Sequence, residues 1–135
     1  VDDALESRMA AFGMHIGTAF QLVDDVLDYS GEEADTGKHI GDDLAEGKPT
    51  LPLIHVMKHG SAEHAACVRS AIENGGRDDF PAVLEAIRAS GAIEATQKAA
   101  EAEAELALNA LNALPSSVFK DSLIQLSQFA VARKY

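Results

Sequence analysis

Three carboxylates fall within five positions of an otherwise apolar run, Phe20-Gln21-Leu22-Val23-Asp24-Asp25-Val26-Leu27-Asp28. Burying an unpaired carboxylate costs on the order of several kcal/mol, so acids kept in such company call for a cation. On a helix, Asp24 and Asp28 lie one turn apart on one face, and Asp25 and Asp28 lie three residues apart. Gln21 stands one turn ahead of Asp24. The patch that results is all-oxygen and self-repelling. Mg²⁺ matches it, because that ion takes one or two carboxylates, keeps waters, and spends its remaining positions on phosphates. The bland reading of a DDxxD segment is a solvated acidic patch, but the flanking Phe20, Leu22, Val23, Val26, Leu27 and Tyr29 set these acids against an apolar region. Two lysines follow, Lys38 in TGK and Lys48 in EGKPT, each beside a glycine. Metal-binding acids on one side and ammonium groups on the other form a consistent polyphosphate site.

The element that must carry the acids is a long helix. From about Asp2 to Asp28, apolar residues recur at Leu5, Met9, Phe12, Ile16, Phe20, Val23 and Leu27, in steps of three and four. That is the period of an amphipathic helix. A second stripe holds Gly13, Gly17, Gln21, Asp24 and Asp28. Glycine lowers helix stability, so two in line imply close approach by a backbone or a ligand.

Residues 30–48 form a long polar stretch with four glycines and many acids, and long loops inside compact domains are often functional. One short helical turn is expected there at Asp42–Ala45. Pro49 fits the first turn of the next helix, which continues through LPLIHVM to Gly60. Further helices are expected at about Ala62–Asn74 with Ser61 as cap, Pro81–Ala89 with Asp78 or Asp79 as cap, Ala92–Ala113, and Ser117–Ala132. Ala99–Leu114 reads as an amphipathic helix with a solvated face. No segment alternates cleanly, so the expected fold class is an all-α helical bundle, with residues 1–135 forming a single domain.

Composition narrows the function classes. The 135 residues are 47% hydrophobic and carry a net charge of -11. A strongly acidic chain is a poor match for nucleic acid or for anionic lipid surfaces. It can still hold an anion if divalent metal lies between. One cysteine, Cys67, excludes an intrachain disulfide and suits a reducing, cytoplasmic setting. No leader or membrane-spanning run is visible. The chain opens on Val1 with a helical pattern already running, so it reads as a portion of something longer.

Other chemistry-bearing residues fit packing and capping better than catalysis. Gly41 through Thr50 faintly echoes a P-loop, but five residues separate Gly41 from Gly47, Pro49 stands where Ser or Thr belongs, and no strand precedes it. His55 and His59 have a zinc-compatible spacing, with His64 beyond, yet no third ligand falls in register. Cys67 has neither a cationic neighbour nor a second cysteine nearby, and reads as a buried small hydrophobe. Asp42 and Asp43 suit a helical cap or an outer-shell contact to a metal, and Asp78-Asp79 a helix start. Arg133-Lys134 suits a solvated terminus or a reach towards a diphosphate.

The run from Gly17 to Met57, GTAFQLVDDVLDYSGEEADTGKHIGDDLAEGKPTLPLIHVM, resembles the trans-isoprenyl (polyprenyl) diphosphate synthases. It is similar to that family's second aspartate-rich motif, its TGK and GDDL elements, and its GK-x-T-x-P-L-I segment. The whole chain resembles the C-terminal portion of the long-chain bacterial branch. The resemblance implies the all-α prenyltransferase fold, a homodimer, Mg²⁺ as cofactor, and head-to-tail condensation of an allylic diphosphate with isopentenyl diphosphate. It implies Asp24 as principal direct metal ligand, with Asp25 and Asp28 completing the site directly or through water. It further implies Lys38 and Lys48 on the allylic diphosphate, Phe20 and Gln21 beside the reacting carbons, and Asp42 as a minor contributor.

Two departures follow from the same resemblance. The family's first aspartate-rich motif has no counterpart here, since Asp2-Asp3 and Asp78-Asp79 lack its spacing. The basic residues that bind isopentenyl diphosphate are also missing. The expectation is therefore a chain with no turnover alone. The alternatives are a non-catalytic helical partner subunit of a prenyl synthase and a small metal-binding bundle. The second would require inward-facing Glu-x-x-His pairs, and none is convincing.

Overall fold

A computed structural model of the chain describes residues 2–30, 44, 46–74 and 79–132, with no strand among them. The described helices are α1 (Asp3–Ser30), α2 (Leu51–His59), α3 (Ala62–Asn74), α4 (Phe80–Ser90), α5 (Ala92–Ala110) and α6 (Val118–Ala132), with a 3-10 turn at Leu111–Ala113 after α5. The all-α expectation holds. Lys38, Asp42, Asp43, Asp78, Arg133 and Lys134 lie outside the described residues, as does most of the turn expected at Asp42–Ala45. No described helix is long and apolar enough to cross a membrane.

α1 begins where its chemistry asks. The Asp2 carboxylate accepts the Leu5 N–H at 2.7 Å, and Asp3 and Glu6 occupy the first turn, at the positive end of the helix dipole. All seven stripe residues are at least half-buried, with Phe12, Val23 and Leu27 the deepest.

Contacts divide the chain into two compact units, residues 1–23 with 97–133, and residues 24–96 with 134–135. In the first unit, Phe12 of α1 packs with Ala107 and Leu111, and Leu123 and Ile124 of α6 close over them. α5 and the 3-10 turn after it bury Ala100, Ala104, Ala107 and Leu111 along one face, while Glu101 and Glu105 stay exposed. Steps of four, three and four with side chains this small let helices approach closely. Polar links cross the packing. His15 Nδ1 lies 2.6 Å from Glu103 Oε2, and the Gln97 amide donates to the Val131 carbonyl at 3.1 Å.

In the second unit, α2, α3 and α4 pack against one another. Leu53, Val56, Val68, Val83 and Ile87 are fully buried between them. Tyr29, near the end of α1, enters the same core and stacks on Phe80, with ring centroids 6.2 Å apart and planes 18° apart. Cys67 is half-buried against this core, less deep than its small apolar character predicts.

Several helix ends differ from expectation for local reasons. α2 starts at Leu51, with Pro52 rather than Pro49 in its first turn. Thr50 takes the N-cap position in an extended conformation, and Pro49 stays outside the helix. Asp79 takes the N-cap position of α4 but makes no side-chain cap. Its backbone is already near-helical (φ -84°, ψ -4°), whereas a capping residue needs extended dihedrals to swing its oxygen over the first N–H groups. Ser61 and Ser117 do cap, accepting the N–H groups of His64 and Lys120 at 3.1 Å each.

The close approach implied by Gly13 and Gly17 is made by no described residue. A Cβ on either would meet nothing within 4 Å. Gly13→Ala and Gly17→Ala are therefore expected to raise stability by about 0.5–1 kcal/mol each, the ordinary gain from replacing a mid-helix glycine. Gly91→Ala is the opposite case. Gly91 has φ 71° and closes α4 through its N–H, so a side chain there is expected to cost about 1–2 kcal/mol. Urea unfolding followed by circular dichroism reads both signs in one series.

Candidate functional site

The acids sit on the final two turns of α1, which ends at Ser30. Asp24 is half-buried, Asp25 is 6% exposed, and Asp28 is fully buried. At about 100° per residue, the three span roughly a 100° arc with Asp28 near its centre. Buried Val26, Leu27 and Tyr29 share those turns and explain the depth. The stack of Tyr29 on Phe80 seats the end of α1 in the core, and Asp28 goes in with it.

This is the wrong end of a helix for acid. The dipole is negative at a C-terminus, where cations rather than carboxylates are stabilising, and the last turn of α1 holds no basic residue. Burial raises the cost of charge at Asp25 and Asp28, and a divalent cation placed beside them would lower it. The donor set is hard oxygen throughout, which fits Mg²⁺ or Ca²⁺. Among the described residues no three His, Cys, Asp or Glu side chains form a metal cage. Mg²⁺ does not need one where it takes one or two carboxylates and completes its shell with water and phosphate.

Of the other expected site residues, Gln21 is exposed on α1, one turn ahead of Asp24. Phe20 is half-buried, its ring 6.5 Å from that of Phe129 and tilted by 44°. Lys48 lies on a tight turn before α2. Gly47 makes that turn possible with φ 72° and donates its N–H to Leu44 at 2.9 Å. Lys48 Nζ is 2.9 Å from Glu46 Oε2, and both side chains are more than half exposed. Sequence reasoning missed Glu46 in this role. Its signal was the acid two residues before Lys48, across a glycine.

The histidines behave as packing residues. His55 Nε2–H donates to the Ser90 carbonyl at 3.1 Å, and the ring packs on His59 with centroids 4.8 Å apart.

A family model described as polyprenyl synthetase matches residues 1–88. Octaprenyl diphosphate synthase of Escherichia coli K12 is 49% identical over 129 residues, covering 95% of this chain and 40% of that protein. The same enzyme of Haemophilus influenzae is 47% identical over 134 residues, covering 98% and 41%. A polyprenyl synthase from Caulobacter crescentus CB15, crystallised with calcium and isoprenyl diphosphate, aligns with a TM-score of 0.89 at 37% identity over 100% of this chain and 42% of its own. A geranylgeranyl pyrophosphate synthase from Corynebacterium glutamicum, crystallised with isoprenyl diphosphate and magnesium, aligns at 0.85 and 31% identity over 98% and 38%. The chain spans about 40% of the length of these curated relatives, in their C-terminal part. With the family model covering most of its residues and a 37%-identical fold aligned along its full length, the chain belongs to the polyprenyl synthetase family.

Proposed function

We propose that the acid-bearing end of α1 is one side of a divalent-metal and diphosphate site, and that the chain is the part of a trans-polyprenyl diphosphate synthase bearing the second aspartate-rich motif. The observation that carries this reading is the burial of Asp25 and Asp28, to 6% and 0% exposure, at a helix C-terminus with no basic residue in its last turn. The ligands in the two crystallised relatives, divalent metal with isoprenyl diphosphate, support it.

In this reading Asp24, the most accessible acid, is the principal direct ligand of Mg²⁺, and Asp25 and Asp28 complete the site. The ion, when bound, neutralises charge developing on a departing diphosphate. Lys48 exchanges Glu46 for a phosphate oxygen. That exchange costs little, since an exposed ion pair is worth about 0–1 kcal/mol. Lys38 has the same role. Gln21 offers its amide dipole, and Phe20 its ring, to the allylic cation left by ionisation. Neither is a nucleophile that would trap it. The double bond of isopentenyl diphosphate then attacks, a proton leaves to the departing diphosphate, and a trans-polyprenyl diphosphate forms with no covalent enzyme intermediate. The complete enzyme is a cytoplasmic homodimer, and this chain alone has no turnover.

Calorimetry tests the site without requiring turnover. Mg²⁺ is titrated into the chain with and without inorganic pyrophosphate, and pyrophosphate with and without Mg²⁺. Each ligand is expected to tighten the other by the same factor, as linkage requires. Independent binding, or none, removes the site. A radiolabelled condensation assay with both substrates is expected to give no product, and sustained product would overturn the claim of inactivity.

A further inference from the structure

His55 and His59 stand one turn apart on α2, with His55 half-buried and His59 exposed at the last position of the helix. Their ring centroids are 4.8 Å apart and their planes are tilted by 44°. Packing accounts for the meeting of the rings but leaves their nitrogens unassigned. His55 Nε2–H donates to the Ser90 carbonyl at 3.1 Å, which in the neutral ring puts the lone pair on Nδ1. A metal-ligating histidine has this arrangement: one ring nitrogen carries its N–H to a carbonyl or carboxylate, and the other faces the ion. The separation fits as well. Zinc sits about 2.0–2.1 Å from an imidazole nitrogen, so two rings sharing one ion at an angle of about 90–110° have centroids roughly 4.5–5.2 Å apart.

The surroundings favour a cation. His59 closes α2 and Ser90 closes α4, so the negative ends of two helix dipoles meet at the pair. Glu94 brings a carboxylate to the same end of α4, with Oε2 3.9 Å from where a Cβ on Gly91 would stand. Lys58, beside His59, is exposed, and salt screens its charge. Two nitrogens do not make a structural zinc site, which takes four protein ligands. They make an open one, with the remaining positions left to water. Imidazole suits ions such as Zn²⁺, Ni²⁺ and Cu²⁺, whereas Mg²⁺ takes oxygen. We propose that His55 and His59 form an exchangeable two-histidine site for a divalent ion of the later transition series, separate from the oxygen site on α1. The bound ion holds the His55 ring with its N–H on the Ser90 carbonyl and so ties α2 to α4. The proposal stands on the nitrogen geometry and not on the acids.

The test titrates Zn²⁺ into the chain by calorimetry at about pH 7.5, above the ordinary imidazole range, with Mg²⁺ in large excess to occupy oxygen sites. One tightly held ion per chain is expected, with Cu²⁺ bound more tightly than Ni²⁺ or Zn²⁺. His59→Gln, at an exposed position, should leave the circular dichroism unchanged and weaken Zn²⁺ binding by about 10–100-fold, since loss of a mere hydrogen-bond partner to a ligand already costs that much. His55→Gln should weaken it at least as far. Imidazole nitrogen NMR should place the ion on His55 Nδ1 with Nε2 still protonated. Absence of binding overturns the proposal, and so does binding that either variant leaves unchanged or that the excess Mg²⁺ removes. An ion on His55 Nε2 overturns it too, because that displaces the Ser90 hydrogen bond. The Mg²⁺ and pyrophosphate titration reads α1 and contains no transition ion, so either proposal can fail while the other stands.

Discussion

Asp24→Asn is expected to weaken the joint binding of Mg²⁺ and pyrophosphate by about 100-fold, with helix content unchanged. One unit of charge at 4 Å from another is worth about 4 kcal/mol at an effective dielectric near 20, or roughly three orders of magnitude in affinity. Asp24 is half-buried, so solvent screening reduces this, and about two orders remain. Asparagine keeps the shape and removes the charge, which separates electrostatics from packing. The calorimetric titration measures the loss directly. An affinity within threefold of the original would show that Asp24 is not the principal ligand and would move that role to Asp25 or Asp28.

The second large effect is on stability. Leu53→Ala is expected to cost about 2–5 kcal/mol, because Leu53 is fully buried among α2, α3 and α4 and a cavity there has little room to collapse. That is a large share of the roughly 5–15 kcal/mol that holds a typical domain folded. Leu106→Ala is the control. At 46% exposure on α5 it is expected to change stability by about 0.5 kcal/mol or less. Urea unfolding of both variants under one buffer gives the comparison. Leu53→Ala should also weaken Mg²⁺ binding, since Tyr29 shares the Leu53 core and anchors the turns that bear the acids.

Short-range chemistry was readable in the sequence. The seven-residue apolar stripe of α1 faces inward throughout, and Ser61 caps its helix as expected, while Ser117, expected as a first helical residue, caps the helix that starts one residue later. Each depends on residues within a turn or two. What was not readable depends on packing. Pro49 and Pro52 both satisfy the rules for a first helical turn. The start of α2 is decided by burial of Leu53 and Val56 and by the extended Thr50, which a linear pattern does not contain. Gly13 and Gly17 signal tolerance of a neighbour without saying which element approaches, and no described one does.

The same division runs through the site. DDVLD, with its apolar flanks, singles out the three acids, and the order of motifs from Gly17 to Met57 points to the family. Which acid sits deepest is a tertiary matter. Asp28 is buried because Tyr29 beside it stacks on Phe80, some fifty residues further along the chain. Glu46 holds Lys48 because Gly47 bends the chain with a positive φ, which residue type permits but does not require.

The accumulation of acid in the closing turns of α1 has a consequence for turnover in the cell. Packing of Val26, Leu27 and Tyr29 holds that end wound against its own field, and where the packing opens the turns become a substrate for proteases. If Mg²⁺ occupies it, folding and occupancy are linked, and the chain's lifetime tracks free magnesium. Chelation should then hasten cleavage in the last turns of α1, and an unchanged cleavage rate would show that no ion is held there.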